Sequence, residues 1–287
     1  MKDDSPSRTA AFVAAARQLG QLLPESVRLI DDPYGGAFAS PAIARWFDKN
    51  TDQLRLLADV PGLRDWILYM QVRTRVIDDA LRAFVAGGGK QLVILGAGFD
   101  CRALRLPELA DARVYEIDHP ATQSHKRDVL DRIGALSPAV YVTWDFETRS
   151  MDELPDALAE AGHDASAPTI TIWEGVTMYL TEGAIDASLR AIAAWSITGS
   201  HLAMTYFPKS RLANPSLATR VVRAAVARFG EPFKFAWDPE ELPEYLEKRG
   251  FQLARDISTP DAARELLPAD LARSVRAADS RLALATR

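Results

Sequence analysis

Acidic side chains recur at one kind of place in this chain, just beyond short apolar runs. Asp118 closes RVYEID, Asp145 with Phe146 closes AVYVTWDF, and Glu174 closes PTITIW. A fourth run, QLVILG, ends in glycine and opens LGAGFD, where Gly96 and Gly98 let the backbone turn tightly and meet a ligand with no Cβ between them. A carboxylate in a dry crevice can accept both hydroxyls of a ribose, and Asp118 is placed for that or for capping the helix that Pro120 begins. Asp145 could accept from an adenine amino group while Phe146 covers the ring, or it could cap its own loop. Glu174 emerges from an apolar run, where an ionised carboxylate needs a cationic partner, either a ligand ammonium or a protein arginine. The third glycine of a dinucleotide fingerprint would fall at Cys101, and Asp100 sets a negative charge where a phosphate would lie. Taken together, these residues suit an adenosyl ligand with a cationic tail and no phosphates better than they suit NAD.

The residues must be held by elements that the hydrophobic periodicity outlines. Segments 91–96, 113–118, 139–146, 168–175 and 200–207 read as buried strands, with helices expected near 119–133, 151–161 and 181–195. Strands alternating with helices at this spacing predict right-handed βαβ units and a parallel sheet covered on both faces, with ligands outside the C-terminal strand ends. Segment 251–258 reads as a sixth strand and 281–286 as a seventh. Upstream, 9–23 is an alanine-rich helix that Pro24 stops, DDPYGGAF (31–38) is a turn, and 64–85 is a long helix. In that helix Trp66, Ile67, Met70, Arg73, Ile77, Leu81 and Phe84 recur at intervals of three and four. Further helices are expected at 217–229 and 239–250. The fold class is therefore α/β, one Rossmann-like domain over 1–287. It divides into a helical cap (1–88), a cofactor-binding core (89–207), a helical insertion after strand five that covers the substrate (208–237), and the C-terminal part of a mostly parallel seven-stranded sheet (238–287).

Composition narrows the function. The chain has 287 residues, 48% hydrophobic and 25% charged, which is ample for a sizeable core. A net charge of -5 lacks the basic balance of a nucleic-acid binder. There is no apolar run long enough to cross a membrane, and the acidic start MKDD before a short alanine-rich stretch is unlike a secretory leader, so a cytoplasmic location is expected. The single cysteine, Cys101, excludes an intrachain disulfide framework, and the four histidines form no HExxH pair, so no metal is expected.

The motifs RTAAFVAAAR (8–17), DDPYGGAF (31–38), RTRVIDDAL (73–81), LGAGFDCRALRL (95–106), YEIDHPATQSHK (115–126), DFE (145–147) and EGVTMYL (174–180) together resemble class I S-adenosylmethionine-dependent methyltransferases. The combination is similar to the leucine carboxyl methyltransferase family, and within it to bacterial and tetracenomycin-type polyketide O-methyltransferases. The resemblance implies S-adenosyl-L-methionine as cofactor. It gives Arg73 the carboxylate of the methionine moiety, Gly96 and Gly98 the turn beneath that moiety, Asp118 the ribose, Asp145 and Phe146 the adenine, and Glu174 the amino-acid end. No catalytic base is assigned; His119 and His201 are the histidines to weigh, and the want of a clear base favours a carboxylate acceptor over a phenol. Tyr179, Tyr206, Arg220 and Arg223 are candidates to line the acceptor pocket. The expected reaction is O-methylation of a small natural product. Protein C-terminal carboxyl methylation and a non-catalytic cofactor-binding regulator are the alternatives.

Overall fold

The computed structural model describes residues 6–39, 60, 62–210, 233–275 and 280–287. The first helix, α1 (Arg8–Leu19), starts at Ser7, whose Oγ accepts a hydrogen bond from the Ala10 N–H at 3.1 Å. It stops short of the expected end, tightening into a single turn at Gly20–Leu22, because a continued helix would drive the Pro24 ring against the Gly20 carbonyl. The long helix α2 (Leu63–Ala86) follows, and the glycines from Gly87 onward end it as read from the sequence.

Seven strands form one sheet in the order β3-β2-β1-β4-β5-β7-β6. They are β1 (Gln91–Leu95), β2 (Arg113–Asp118), β3 (Val140–Thr143), β4 (Thr169–Trp173), β5 (His201–Tyr206), β6 (Gln252–Ser258) and β7 (Arg281–Thr286). The first five run parallel, and β7 lies antiparallel between β5 and β6. Every residue of β1 and β4 is buried, including the polar Gln91, Thr169 and Thr171, as strands covered on both faces require. Alternate side chains feed two core layers. Leu92, Ile94, Ile170, Ile172 and Leu282 pack with Met70, Ile77 and Leu81 of α2. Val93, Leu95, Ile117, Trp173 and Met204 pack on the other side with Leu158, Ile185, Leu189 and Ile192. The latter come from helices α5 (Leu154–Glu160) and α6 (Glu182–Ala194); before these, α3 (Arg102–Arg105) and α4 (Pro120–Arg132) follow β1 and β2. The strand order reverses at β1, with β2 on one side and β4 on the other, so the crevice for a ligand opens beyond their C-terminal ends.

Other expected boundaries move as well. The third strand ends at Thr143 rather than at 146, because Trp144 turns into the core and Asp145 begins a tight loop, with the Arg149 N–H donating to the Asp145 carbonyl at 2.9 Å. The helix expected over 239–250 is confined to α7 (Leu242–Glu247), with Pro243 in its first turn. The helix expected over 217–229 lies outside the described residues.

Within the cap, side chains of α1 and α2 satisfy loop backbone. The Gln71 Oε1 accepts from the N–H groups of Leu29 and Ile30, both at 2.9 Å, and the Gln18 Oε1 accepts from the Gly36 N–H. The DDPYGGAF turn packs so tightly on α1 that a Cβ on Gly35 would lie 2.0 Å from the Ala14 carbonyl oxygen. Gly35→Ala is therefore expected to destabilise the fold by about 1–3 kcal/mol in chemical denaturation. Gly183→Ala, at an exposed helical position where a Cβ meets nothing, should be neutral or stabilising by up to about 1 kcal/mol.

Candidate active site

The loop after β1 is built around two glycines. Gly96 (φ 72°) and Gly98 (φ 52°) both sit in the left-handed region, and a Cβ at either would press on Val176 (2.7 Å) or Ala10 (3.0 Å). The Gly96 and Ala97 N–H groups both donate to the Ile117 carbonyl, at 2.9 and 3.0 Å. Asp118, at the end of β2, clamps the loop: its Oδ2 accepts from the Gly98 N–H at 2.5 Å and its Oδ1 from the His119 N–H at 2.6 Å. Helix α4 is capped not by Asp118 but by His119, whose Nδ1 accepts from the Ala121 N–H at 3.2 Å. Two bonds leave roughly half of the Asp118 carboxylate's acceptor capacity, which is about four lone-pair sites, for a ligand. Burial raises the Asp118 pKa, against the pull of the Gly98 and His119 N–H groups.

Beside this loop lies a chain of buried charges. Arg73 of α2 donates from Nε to Glu174 Oε1 at 2.7 Å, so Arg73 and Glu174, which the sequence set at the same end of the ligand, meet directly. Arg102, the first residue of α3, donates from Nη2 to Glu174 Oε2 at 2.9 Å, from Nε to Asp78 Oδ1 at 2.8 Å and from Nη1 to Asp100 Oδ2. Arg105 completes the set with Nη1 and Nη2 on Asp78 at 2.7 and 2.9 Å. Three arginines thus balance three carboxylates. Burial would raise the Glu174 pKa, but Arg73 and then Arg102 outweigh it and hold it at about 2. Asp100, read from sequence as a charge facing the ligand, is instead spent on Arg102: its Oδ1 also accepts the Arg102 N–H at 2.7 Å. Two more buried ion pairs flank the loop. Arg17 reaches from α1 to Asp32 (2.8 Å) and to the Phe99 carbonyl (2.6 Å), fixing the cap on the loop, and Lys126 of α4 pairs with Glu116 of β2 and donates to the Asp100 carbonyl.

The remaining expected residues divide. Asp145 lies next to Asp118, since the Trp144 N–H donates to the Asp118 carbonyl at 2.9 Å. Its carboxylate accepts from the Glu147 N–H (3.0 Å) and the Thr148 hydroxyl (2.7 Å), the loop-capping role weighed from sequence, while the Phe146 ring is exposed. Tyr179 sits five residues past Glu174 with its ring 5.6 Å from that of Phe233. Tyr206 corrects the sequence reading: it is fully buried in β5 and donates its hydroxyl to Asp256 Oδ2 at 2.8 Å, beside Arg281, so it packs the sheet instead of facing an acceptor. The next residue, Phe207, is half-buried and stacks on Phe233 at 5.4 Å. Arg220 and Arg223 lie outside the described residues. Sequence reasoning missed Arg102, Arg105 and Asp78, although Asp78 stands one turn from Thr74 and from Leu81 on the buried stripe of α2, where a carboxylate is out of place without a partner.

The depressed Glu174 pKa carries a pH signature. Because the folded value lies below the ordinary 4.5, the ionised carboxylate contributes its full stabilisation above about pH 4.5, and that contribution is lost as the pH falls toward 2. The loss is on the order of 3 kcal/mol. Glu174→Gln should flatten the acid limb of stability against pH by that amount, measured by urea unfolding between pH 2 and 5.

The donor set matches a nucleoside joined to an amino acid: glycines that leave room for close approach, a carboxylate with spare acceptor capacity for a diol, and an arginine beside a glutamate for a zwitterion. No helix among the described residues is long and apolar enough to cross a membrane. Residues 10–193 match the leucine carboxyl methyltransferase family model. A protein of Mycobacterium sp. (strain JLS) predicted to be an S-adenosyl-L-methionine-dependent methyltransferase is 36% identical over 256 residues, spanning 87% of this chain and 84% of that one. A protein of Mycolicibacterium paratuberculosis with the same predicted activity is 32% identical over 267 residues, spanning 89% and 82%. Among solved structures, a protein of Thermobifida fusca predicted to be a methyltransferase covers 98% of both chains with a TM-score of 0.58 at 18% identity, a likeness of fold. A DUF574 family protein from Streptomyces avermitilis covers 95% and 97%, also with a TM-score of 0.58, at 17% identity. By its matched residues, its relatives and its sheet, the chain belongs to the leucine carboxyl methyltransferase family of class I S-adenosyl-L-methionine-dependent methyltransferases.

Proposed function

We propose that this methyltransferase acts on an oxygen, by preference a carboxylate, of a small aromatic acceptor such as a polyketide-type natural product. The observation that carries this reading is the cluster into which the Glu174 loop runs: Tyr179, Phe233 and Phe207, all half-buried beside the strand ends, with the Phe233 ring in contact with the other two. Such a wall suits a planar apolar body. The preference for a carboxylate rests on the family's description and on where the two histidines weighed as bases lie. His201 begins β5, at the opposite end of the sheet from Glu174, and packs on Phe84 at 5.2 Å. His119 uses Nδ1 to cap α4. A carboxylate is already ionised at neutral pH and needs no base, whereas a phenol with a pKa of about 10 needs one.

In this reading Asp118 accepts the ribose hydroxyls, Asp145 and Phe146 border the adenine, and Gly96 and Gly98 let the backbone approach the amino-acid portion. Arg73 and Glu174 hold the carboxylate and ammonium of that portion. When bound, the cofactor supplies a methyl group already activated on a cationic sulfur. The protein's own work is then alignment and exclusion of water, with the aromatic cluster orienting the acceptor oxygen and keeping the site dry.

S-adenosylhomocysteine should raise the thermal midpoint while NAD leaves it unchanged, because only a ligand that binds the native state stabilises it. Asp118→Ala and Arg73→Ala should each weaken that binding by roughly tenfold or more, from the loss of charge-assisted hydrogen bonds. With methyl-labelled cofactor, aromatic carboxylic acids should take up label and simple phenols should not; the reverse result overturns the carboxylate preference. Label appearing in macromolecules of a lysate, and not in the solvent extract, would favour carboxyl methylation of a protein terminus instead.

A further inference from the structure

Arg102 is 1% exposed, and each of its three guanidinium nitrogens faces a different carboxylate. Two of these, Asp78 and Asp100, lock it in place. Asp78 is also gripped by both terminal nitrogens of Arg105, and Asp100 binds the Arg102 backbone N–H as well as its side chain. The third carboxylate is Glu174, held through Oε2, while Arg73 takes Oε1. The two oxygens of Glu174 therefore answer to two different arginines, one immobilised in the loop after β1 and one on α2.

Stability alone gives little reason for such a cluster, since a well-packed apolar replacement for buried ion pairs is commonly as stable or more so. Ligand chemistry gives one. A zwitterionic amino acid presents its carboxylate to Arg73 and its ammonium to Glu174, and so competes for the Arg73–Glu174 bond. The bond from Arg102 to Oε2 is not in that competition. With Arg73 turned to the ligand and without Arg102, the Glu174 carboxylate would keep no side-chain hydrogen bond among the described residues to fix where the ammonium must meet it. We infer that Arg102 is a positioning residue: it keeps the Glu174 carboxylate in place for the ligand's ammonium group when Arg73 turns to the ligand's carboxylate. The inference rests on the zwitterion reading of Arg73 and Glu174 above.

Calorimetric titration with S-adenosylhomocysteine and with adenosine, which lacks the amino-acid portion, tests it in the full chain. Arg102→Gln should weaken S-adenosylhomocysteine binding by roughly tenfold or more, with adenosine affinity unchanged within about twofold. Arg102→Lys, a point charge without the planar fork, should fall between. The double variant Arg102→Gln, Glu174→Gln should bind S-adenosylhomocysteine no more weakly than Glu174→Gln alone, because Arg102 acts through Glu174. Equal losses for both ligands, or additive losses in the double variant, would overturn the inference and leave Arg102 as a shaper of the glycine loop. If the unaltered chain binds adenosine but gains nothing from the amino-acid portion, the zwitterion reading itself fails, an outcome distinct from failure of Arg102 alone. Should Arg102→Gln lose cooperative unfolding, the same cycle run with Arg102→Lys reads the coupling.

Discussion

Charges are stable inside a protein only when they nearly cancel and each finds a partner close by, and this constraint governs the end of the sheet where the ligand crevice opens. Arg73, Arg102 and Arg105 face Glu174, Asp78 and Asp100 in one connected set. Its members come from α2, from the loop and short helix after β1, and from the end of β4, so the set ties α2, which no backbone ladder joins to the sheet, to the ends of two paired strands. The apolar layers hold the sheet to its helices, but they are tolerant of small slips. Ion pairs at 2.7–2.9 Å are not, and they transmit the position of α2 to the glycine loop.

The cap obeys the same constraint on its own side. Arg17 leaves α1 to reach Asp32 in the turn and the Phe99 carbonyl in the loop after β1. Asp32 in turn accepts from the N–H groups of Tyr34 and Gly35, at 3.1 and 3.2 Å. The motif DDPYGGAF therefore does its work by shape: its carboxylate organises the turn and anchors an arginine, and its glycines let the turn lie flat on α1. A run of residues that reads from sequence as a turn-rich break is a packed part of the cap, and its Phe38 ring stacks on Phe99 of the loop after β1 at 4.6 Å.

Much of this was legible in advance where the signal is local. The strands β1 and β4 announce themselves as short runs rich in β-branched residues, and glycine after β1 marks the turn. Asp118 stands out as a strand-ending acid before His-Pro, but sequence left a ligand contact and a helix cap open for it, and its hold on the Gly98 and His119 N–H groups was not legible. Pairings between distant residues were not legible. Glu174 meets Arg73 across 101 positions and Arg102 across 72, and no periodicity encodes such a meeting. Local signals also misled where hydrophobicity outran geometry. AVYVTWDF reads as one strand, yet Trp144 is drawn into the core and Asp145 satisfies its own loop. Tyr206 and Phe207 are adjacent and alike in character, but alternation along β5 sends the first into the sheet's interior, toward Asp256, and leaves the second by the aromatic cluster.

The antiparallel strand β7 lies between β5 and β6, two strands made before it. During synthesis β5 can join β4 along one edge while its other edge stays open, and β6 has no strand to pair with, until residues 281–286 arrive to bridge the two. The nascent chain thus exposes unprotected strand edges until β7 is made, the condition under which strands from neighbouring polypeptides pair wrongly. Vectorial folding of this topology is completed from its far side inward, and a message cut short before β7 would yield a chain inclined to aggregate.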